Sequence, residues 1–441
     1  MADRVVVVGA GLAGSLMAAL LGRDGWQVDL VERRLDPRQT EAEEGRSINL
    51  ALSERGLHAL GQVGLADQVL DQAVRLRGRL MHAVDGRLTF QPYGKAGQGI
   101  NSVSRSDLNR VLLNAAERQP TVRIQFGLRC LDLEPEQGRV LLEDVRTGAS
   151  EARDGELVIG ADGAFSAVRR WMQRQDRFDY SQAFLPHGYK ELTIPPAEGG
   201  GWRLEPQALH IWPRGGFMMM AMANRDGSFT VTLYLPFEGP DGFNQLRNAD
   251  QVEGFFTRYF PDAIPHLPEL TSAFLGNPTG SLVTVRCAPW RVASRVVLLG
   301  DAAHAVVPFY GQGANAAFED CLVLQDLLRR EPGREQALTR FEAARKPHTD
   351  VLADLAITNF REMRDRVASP GFLLRKRFEH LLHGLLPDWY LPLYSMISFS
   401  RIPYADALTR SVRQWRIVLG TLALLGLMLL AGVVTFLARR V

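Results

Sequence analysis

The hydrophobic pattern of the chain switches between two characters. Val5–Val8 is a short β-branched run that stops at Gly9, and such a run reads as a buried strand. Gly9-Ala10-Gly11-Leu12-Ala13-Gly14 follows, Ser15–Gly22 is helical in composition, and Val28–Glu32 reads as a second strand. Together they predict one compact βαβ unit. Thr121–Cys130 and Arg139–Leu142 read as further strands, and Leu157–Gly160 as a short buried strand ending in glycine. From about residue 180 to 285 the pattern changes. His210–Pro213, Phe217–Met222 and Phe229–Leu235 alternate and carry aromatics, as sheet segments do. Arg295–Leu299 returns to the strand-then-glycine pattern, and helical composition dominates from Ala314 to about 385.

The tail follows a third pattern. Ile417–Ala438 is 22 residues without a charge. As a helix it is about 33 Å long, enough to cross a hydrocarbon core of ~30 Å. Arg413 and Arg416 precede it and Arg439 and Arg440 follow it, so positive charge on the flanks does not fix an orientation. An earlier apolar stretch, Leu391–Phe399, is too short to span; of a membrane-surface segment and a pocket lining, the pocket lining is preferred. The expected fold class is therefore α/β. A discontinuous Rossmann-like domain occupies residues 1–180 and 286–330, and an inserted, mainly antiparallel β-sheet substrate domain occupies 181–285. A helical C-terminal region, 331–412, closes the substrate pocket, and a C-terminal transmembrane helix spans 417–438.

Composition narrows the function classes. Hydrophobic residues make up 46% and charged residues 23% of 441, which excludes a disordered chain or a coiled-coil rod. The net charge of +2 is uneven, because residues 401–441 hold six Arg and one Asp. The remaining body is slightly acidic, which argues against nucleic-acid binding. Three cysteines, Cys130, Cys287 and Cys321, with no CxxC, give neither a disulfide framework nor a structural metal site.

Gly9-x-Gly11-x-x-Gly14 lies between a strand and a helix, and Glu32 ends the next strand. The first glycine permits the tight turn, the second lets a pyrophosphate approach the backbone, and the third lets helix and strand pack closely. Glu32 suits a ribose 2′-hydroxyl and would repel a 2′-phosphate, so the nucleotide is FAD or NAD. Two later motifs follow strands: Gly160-Ala161-Asp162-Gly163-Ala164-Phe165-Ser166-x-x-Arg169, and Gly300-Asp301-Ala302-Ala303-His304 with Pro308-x-x-Gly311-Gln312-Gly313-Ala314-Asn315. Singly, an Asp in such a place is more often a helix cap than a ligand.

As an ordered trio, these motifs resemble the aromatic-hydroxylase group of FAD-dependent monooxygenases. The resemblance implies that Asp301 meets the ribityl chain of FAD. It places Gly313, Ala314 and Asn315 against the isoalloxazine, and assigns Asp162 and Arg169 to a segment serving FAD and a transient nicotinamide. Ala13, Glu32, Arg33, Arg34, Ala51, Arg105 and the backbone near Cys130 would complete the FAD contacts, with Gly9, Gly11 and Gly14. NADPH would bind briefly as co-substrate with O₂, and no metal and no catalytic side chain are implied, since the bound flavin carries the chemistry.

Further segments are similar to one branch of that group, whose members hydroxylate L-kynurenine to 3-hydroxy-L-kynurenine in tryptophan degradation. They are Arg46–Leu52, Arg77-Gly78-Arg79, Gln91-Pro92-Tyr93-Gly94, Pro186-His187-Gly188-Tyr189, Leu209–Pro213 and Phe399–Tyr404. The branch implies that Arg79, Tyr93, Asn359 and Tyr404 hold the substrate carboxylate end. Phe309, Tyr234 and Met363 would wall the aryl end. Tyr310 and Ala314 depart from residues common in the branch. A membrane anchor with a cytosolic body is expected. The competing readings are a same-fold hydroxylase or epoxidase of a membrane-borne substrate, a tethered flavoprotein without hydroxylase activity, and an NAD dehydrogenase.

Overall fold

The computed structural model of the chain describes residues 3–39, 49–94, 97–366 and 370–439, so Arg46, Ser47, Ile48 and Arg440 lie outside the described residues. A six-stranded sheet runs in the order Arg291–Val292, Val296–Leu298, Leu157–Gly160, Arg4–Val8, Gln27–Glu32, Val122–Phe126. Neighbours are parallel except for the edge pair Arg291–Val292 with Val296–Leu298. Val5, Val6 and Val7 are all inaccessible. The run lacks alternation because a parallel sheet covered on both faces buries every side chain. The Leu12–Arg23, Arg105–Glu117 and Gly313–Arg330 helices share its core.

One predicted strand is two. Thr121–Cys130 breaks at Gly127, which has φ +78°, into Val122–Phe126 and Leu128–Glu134. The first piece joins the parallel sheet, and the second pairs antiparallel with Arg139–Asp144 in a separate three-stranded sheet. The apolar pattern runs through the corner, so only the left-handed glycine marks the break.

The second large sheet has seven strands, in the order Thr279–Ala288, Asp179–Ile194, Phe229–Pro236, Met218–Ala223, Ala208–Pro213, Gly78–His82, Leu88–Pro92. It recruits two strands from residues 78–92, and the junction of Gly78–His82 with Ala208–Pro213 is parallel. Its side chains sort with period two. Met219, Ala221, Val231, Leu233 and Leu235 fall in a core shared with the Ala249–Tyr259 and Leu270–Gly276 helices. Met220, Met222, Thr230, Thr232 and Tyr234 face a cavity.

The C-terminal region is helical, with Gly313–Arg330, Arg334–Arg361, Pro370–Leu385 and Leu393–Ser398. The last helix, Tyr404–Ala438, is 35 residues long. Its first turn packs on the body, with Tyr404 and Ala407 fully buried. Beyond it the side chains of Leu419, Leu422, Leu425, Leu429 and Phe436 are exposed. Among the described residues this is the one helix long and apolar enough to cross a membrane, with a mean hydropathy of 2.6 over its most apolar window.

Candidate active site

The two sheets enclose a continuous cavity of about 520 Å³. At one end lies the glycine turn. Gly9 has φ +102°, and a Cβ there would meet Ala161 O at 2.6 Å; a Cβ on Gly14 would meet Gly9 O at 1.9 Å. Both glycines are required by the protein's own backbone packing. Gly11 differs: a Cβ there would meet nothing within 4 Å. The open space lies at the N-terminus of the Leu12–Arg23 helix, where a pyrophosphate would take the unpaired amides.

Glu32 stands beside this turn. Its Oε2 accepts from the Ala10 amide at 2.9 Å, and its Oε1 accepts from Arg34 N at 3.0 Å and Arg34 Nε at 2.9 Å. Burial pushes its carboxyl upward, but the Arg34 side chain and the two amides outweigh burial and hold it below its ordinary value. It is a carboxylate, as acceptance from two ribose hydroxyls requires. Arg33, Arg34, Ala51, Arg105 and the Leu128–Cys130 backbone segment also line the cavity. Burial, followed by the nearby Asp162 and Asp132, pushes the Cys130 thiol up to about 12. Cys130 is therefore a neutral wall group and not a nucleophile.

Asp162 and Asp301 divide the roles that sequence left open. Asp162 braces the start of the Ala167–Met172 helix, whose N-cap is Ser166: Ser166 Oγ donates to it at 2.5 Å and the Ala167 amide at 2.6 Å. It also touches the cavity. Asp301 opens directly onto the cavity, yet desolvation raises its pKa against the pull of Arg105. A carboxyl so placed fits a hydroxyl partner such as the ribityl chain. Arg169 turns away from the cavity. It donates to Ala302 O at 2.6 Å and Ala164 O at 2.5 Å, tying the two Asp-bearing loops together.

Gly313 and Ala314 present the N-terminus of an 18-residue helix to the same space, a positive end suited to a reduced, anionic ring. Asn315 does not line the cavity. Its Oδ1 accepts from Ser53 N at 2.9 Å, and its Nδ2 donates to Ala51 O and Gly311 O, both at 2.8 Å. It fixes two walls of the flavin end from behind.

At the far end Arg79 and Tyr93 face each other, with the guanidinium 5.7 Å from the Tyr93 ring centre. No carboxylate among the described residues pairs with Arg79, and its buried Nε has no hydrogen-bond partner. Tyr394 completes this end and was not singled out from sequence. Its ring stacks on Tyr93 at 5.4 Å, and Arg79 lies 5.1 Å above it. The signal was the short apolar stretch Leu391–Phe399, which contains it. Burial first, and then Tyr394, raises the Tyr93 hydroxyl far above its ordinary value, so it is a donor at neutral pH. Tyr234, Phe309 and Met363 line the stretch between this polar end and the flavin end. Phe309 is stacked on Phe360 at 4.2 Å and tilted against Tyr234 at 4.9 Å.

Two residues expected at the substrate sit behind the wall. Asn359 Nδ2 donates to Phe309 O at 2.7 Å and to Met363 Sδ at 3.3 Å. Tyr404 is inaccessible, donates to Gln312 Oε1 at 3.1 Å and carries Arg55 over its ring at 4.2 Å. In this geometry both hold wall segments and neither faces the cavity. Sequence cannot separate a wall residue from its support, because both are polar groups in apolar surroundings.

A dinucleotide end joined to a second, amphipathic end in one cavity is the plan of a flavoenzyme that brings a small molecule to its cofactor. The comparisons agree. The FAD binding domain family matches residues 3–356. The fold is shared with a solved structure of 2-methyl-3-hydroxypyridine-5-carboxylic acid oxygenase, with a TM-score of 0.69 and 24% identity over 86% of this chain and 98% of that one. It is also shared with PqsL, a probable FAD-dependent monooxygenase from Pseudomonas aeruginosa, with a TM-score of 0.66 and 22% identity over 85% and 100%. The chain thus has the FAD-binding fold of these oxygenases, with mixed sheets and a helical C-terminal region. Among curated relatives, the kynurenine 3-monooxygenase of Salinispora arenicola is 51% identical over 94% of this chain and 92% of its own. That of Sus scrofa is 44% identical over 93% and 87%. The chain belongs to the kynurenine 3-monooxygenase family.

Proposed function

We propose that the protein hydroxylates L-kynurenine to 3-hydroxy-L-kynurenine with NADPH and O₂. The observation that carries this reading is Arg79, with no carboxylate partner among the described residues, a buried Nε without a hydrogen-bond partner and two tyrosine side chains beside it, at the end of a cavity that reaches a dinucleotide motif. The buried Nε has no hydrogen-bond partner, and an α-carboxylate bound in a two-pronged contact would satisfy it.

Glu32, Asp301, the Gly11 turn and the helix start at Gly313 would hold FAD, which when bound accepts hydride from NADPH and activates O₂. The protein's part is placement. Arg79 takes the carboxylate while Tyr93 and Tyr394 donate beside it. Phe309, Tyr234 and Met363 then present the aniline ring edge-on toward the flavin end. No side chain need remove a proton from the ring carbon before attack, because the substrate's own amine supplies electron density to the ortho position. The apolar wall excludes water, which would otherwise divert activated oxygen to H₂O₂. Asn359 and Tyr404 act as positioning residues, through Phe309 and Gln312 respectively. A membrane-borne substrate without a carboxylate would leave Arg79 unpaired.

The exposed part of the Tyr404–Ala438 helix supports a single membrane anchor, with the body on the cytosolic side where FAD and NADPH are supplied. The test of the function is direct: follow NADPH oxidation by the full-length holoenzyme with and without L-kynurenine, and identify the product. Oxidation that ignores kynurenine, or that yields only H₂O₂, refutes the reading.

A further inference from the structure

One helix of the C-terminal region has its polarity the wrong way round for a surface that meets water. Pro370–Leu385 turns Glu379 and His383 inward, where both are buried. Glu379 accepts from Arg375 Nε at 3.1 Å and from Lys376 Nζ at 2.8 Å, and His383 Nδ1 is 2.7 Å from Tyr390 O. Leu374, Leu381 and Leu385, in contrast, are 69%, 56% and 68% exposed. Their spacing of seven and then four positions puts them on one face of the helix. Leu386 and Trp389, just past the helix end, are exposed as well. Single exposed apolar residues are ordinary on a protein surface, but a row of leucines outside a helix that buries a carboxyl and an imidazole is not.

The place of this row in the fold says what covers it. Trp415 of the last helix faces three side chains of the segment. Arg375 lies 5.0 Å over its ring, and the rings of Phe378 and Tyr390 are 6.4 Å and 6.3 Å from it. Beside it, Gln414 Nε2 donates to Trp389 O at 2.5 Å. Trp415 is two residues, about 3 Å along the axis, before Ile417, where the charge-free run of the last helix begins. Val418 is still buried, although Ile417 and Leu419 on either side of it are exposed. The body therefore covers one side of the last helix past the start of that run. With the run across a bilayer, whatever covers Val418 stands at the level of the headgroups. The segment that carries the leucines, held at Gln414 and Trp415, stands there with it.

We infer that the leucine face of Pro370–Leu385, with Leu386 and Trp389, is a second membrane contact, lying in the interfacial layer of the bilayer beside the anchor. The helix has 16 residues, about 24 Å, and carries Arg375, Lys376, Arg377 and Glu379, so it is not itself a span. An interfacial helix instead sinks its apolar face about 5–10 Å below the headgroups. Arg377 stands between Leu374 and Leu381 and is exposed, as are Arg413 and Arg416 on the last helix. Long basic side chains at that level lay their stems on apolar surface and reach lipid phosphates with their heads. Trp389 and Trp415 sit at the depth that amphipathic aromatics favour. Such a contact is reversible by itself, whereas insertion of a spanning helix is effectively permanent. The anchor retains the protein on the membrane, and the second contact stops the body from turning about the anchor.

This inference rests on the reading of the last helix as a membrane anchor, and the test separates the two. Cys130, Cys287 and Cys321 are buried, so a cysteine introduced at an exposed position can be labelled alone with the fluorophore NBD. Leu381→Cys, Leu385→Cys, Leu429→Cys within the apolar run and Val145→Cys on the three-stranded sheet are each labelled. They are compared as full-length holoenzyme in vesicles of equal parts phosphatidylcholine and phosphatidylglycerol, with retained flavin as the check on folding. At the Leu381 and Leu385 sites the expected result is emission shifted to shorter wavelength, and stronger quenching by a nitroxide at the headgroup than by one deep in the acyl chains. The Leu429 site should show the opposite order of quenching, and the Val145 site neither effect. If the Leu429 site is quenched from depth while the Leu381 and Leu385 sites behave like Val145, the second contact is overturned and the anchor stands. A shift at those two sites that neither nitroxide quenches means that protein, such as a second copy of the chain, covers the leucines, and it overturns the second contact too. If the Leu429 site is not quenched, the anchor reading fails; shallow quenching at the Leu381 and Leu385 sites then still upholds the interfacial contact, and its absence overturns both.

Discussion

Replacing Arg79 by Met keeps most of the side-chain volume and removes the charge. Two opposite effects should follow. Without substrate, the wild-type guanidinium has a buried Nε with no partner and no carboxylate within reach among the described residues. Leaving such a donor unsatisfied costs about 1–3 kcal/mol, so Arg79→Met should unfold at a higher temperature than the wild type when no ligand is present. With substrate the sign reverses. Truncating one member of a desolvated, hydrogen-bonded charge pair costs about 2–5 kcal/mol, so even the low end raises KM for kynurenine by about 30-fold. The flavin should remain bound, because the Glu32 and Gly11 end of the cavity is not altered. The assay is NADPH oxidation against kynurenine concentration, with flavin absorbance and thermal melts on the same preparations. A KM within about twofold of wild type refutes the carboxylate role. A lower melting temperature without substrate refutes the claim that the guanidinium is held at a cost until the substrate arrives.

The glycines of the turn should separate by cause. Gly14→Ala places a Cβ 1.9 Å from Gly9 O, so it should abolish folding, seen as insoluble or unfolded protein. Gly11→Ala, with nothing within 4 Å, should fold normally and lose FAD affinity, measured by flavin retention on dilution. Glu32 carries a lowered pKa in the folded chain. Its stabilising contribution is therefore complete above the ordinary value of 4.5 and is lost as pH falls through the lower folded value. Glu32→Gln should flatten that part of the stability–pH curve in urea titrations. Deleting residues 419–441 should release the protein from membranes while sparing kcat, because Tyr404, Ala407, Gln414 and Val418, which are buried in the last helix, are retained. Full-length protein that is soluble without detergent, or a truncated protein without activity, would contradict this.

Much of the flavin end was legible in the residues because it is built from local rules. A strand, a glycine turn and a helix are contiguous, and Gly9 and Gly14 each answer a constraint within a few residues or at one neighbouring loop. The apolar tail is legible for the same reason, since length and absence of charge are properties of a single segment. The long helices after Ala314 also follow from composition.

What escaped the sequence depends on contacts between distant segments. Nothing near Gly78–His82 announces that it will pair with Ala208–Pro213, so the inserted sheet looked self-contained when it is not. Asp162 and Asp301 occupy similar motifs and both reach the cavity, and only the packing around them ties Asp162 to the start of the Ala167–Met172 helix. Asn359 and Tyr404 have the chemistry of ligands, but the structure turns them to Phe309 and Gln312. His82 and His210 are separated by 128 positions, and only the fold brings them within hydrogen-bond reach. Sequence fixes which groups can donate, accept or carry charge, because those are properties of single residues and short runs. Tertiary structure decides which of them meet and which are left without water, because desolvation and hydrogen-bond direction exist only between segments that the fold has brought together.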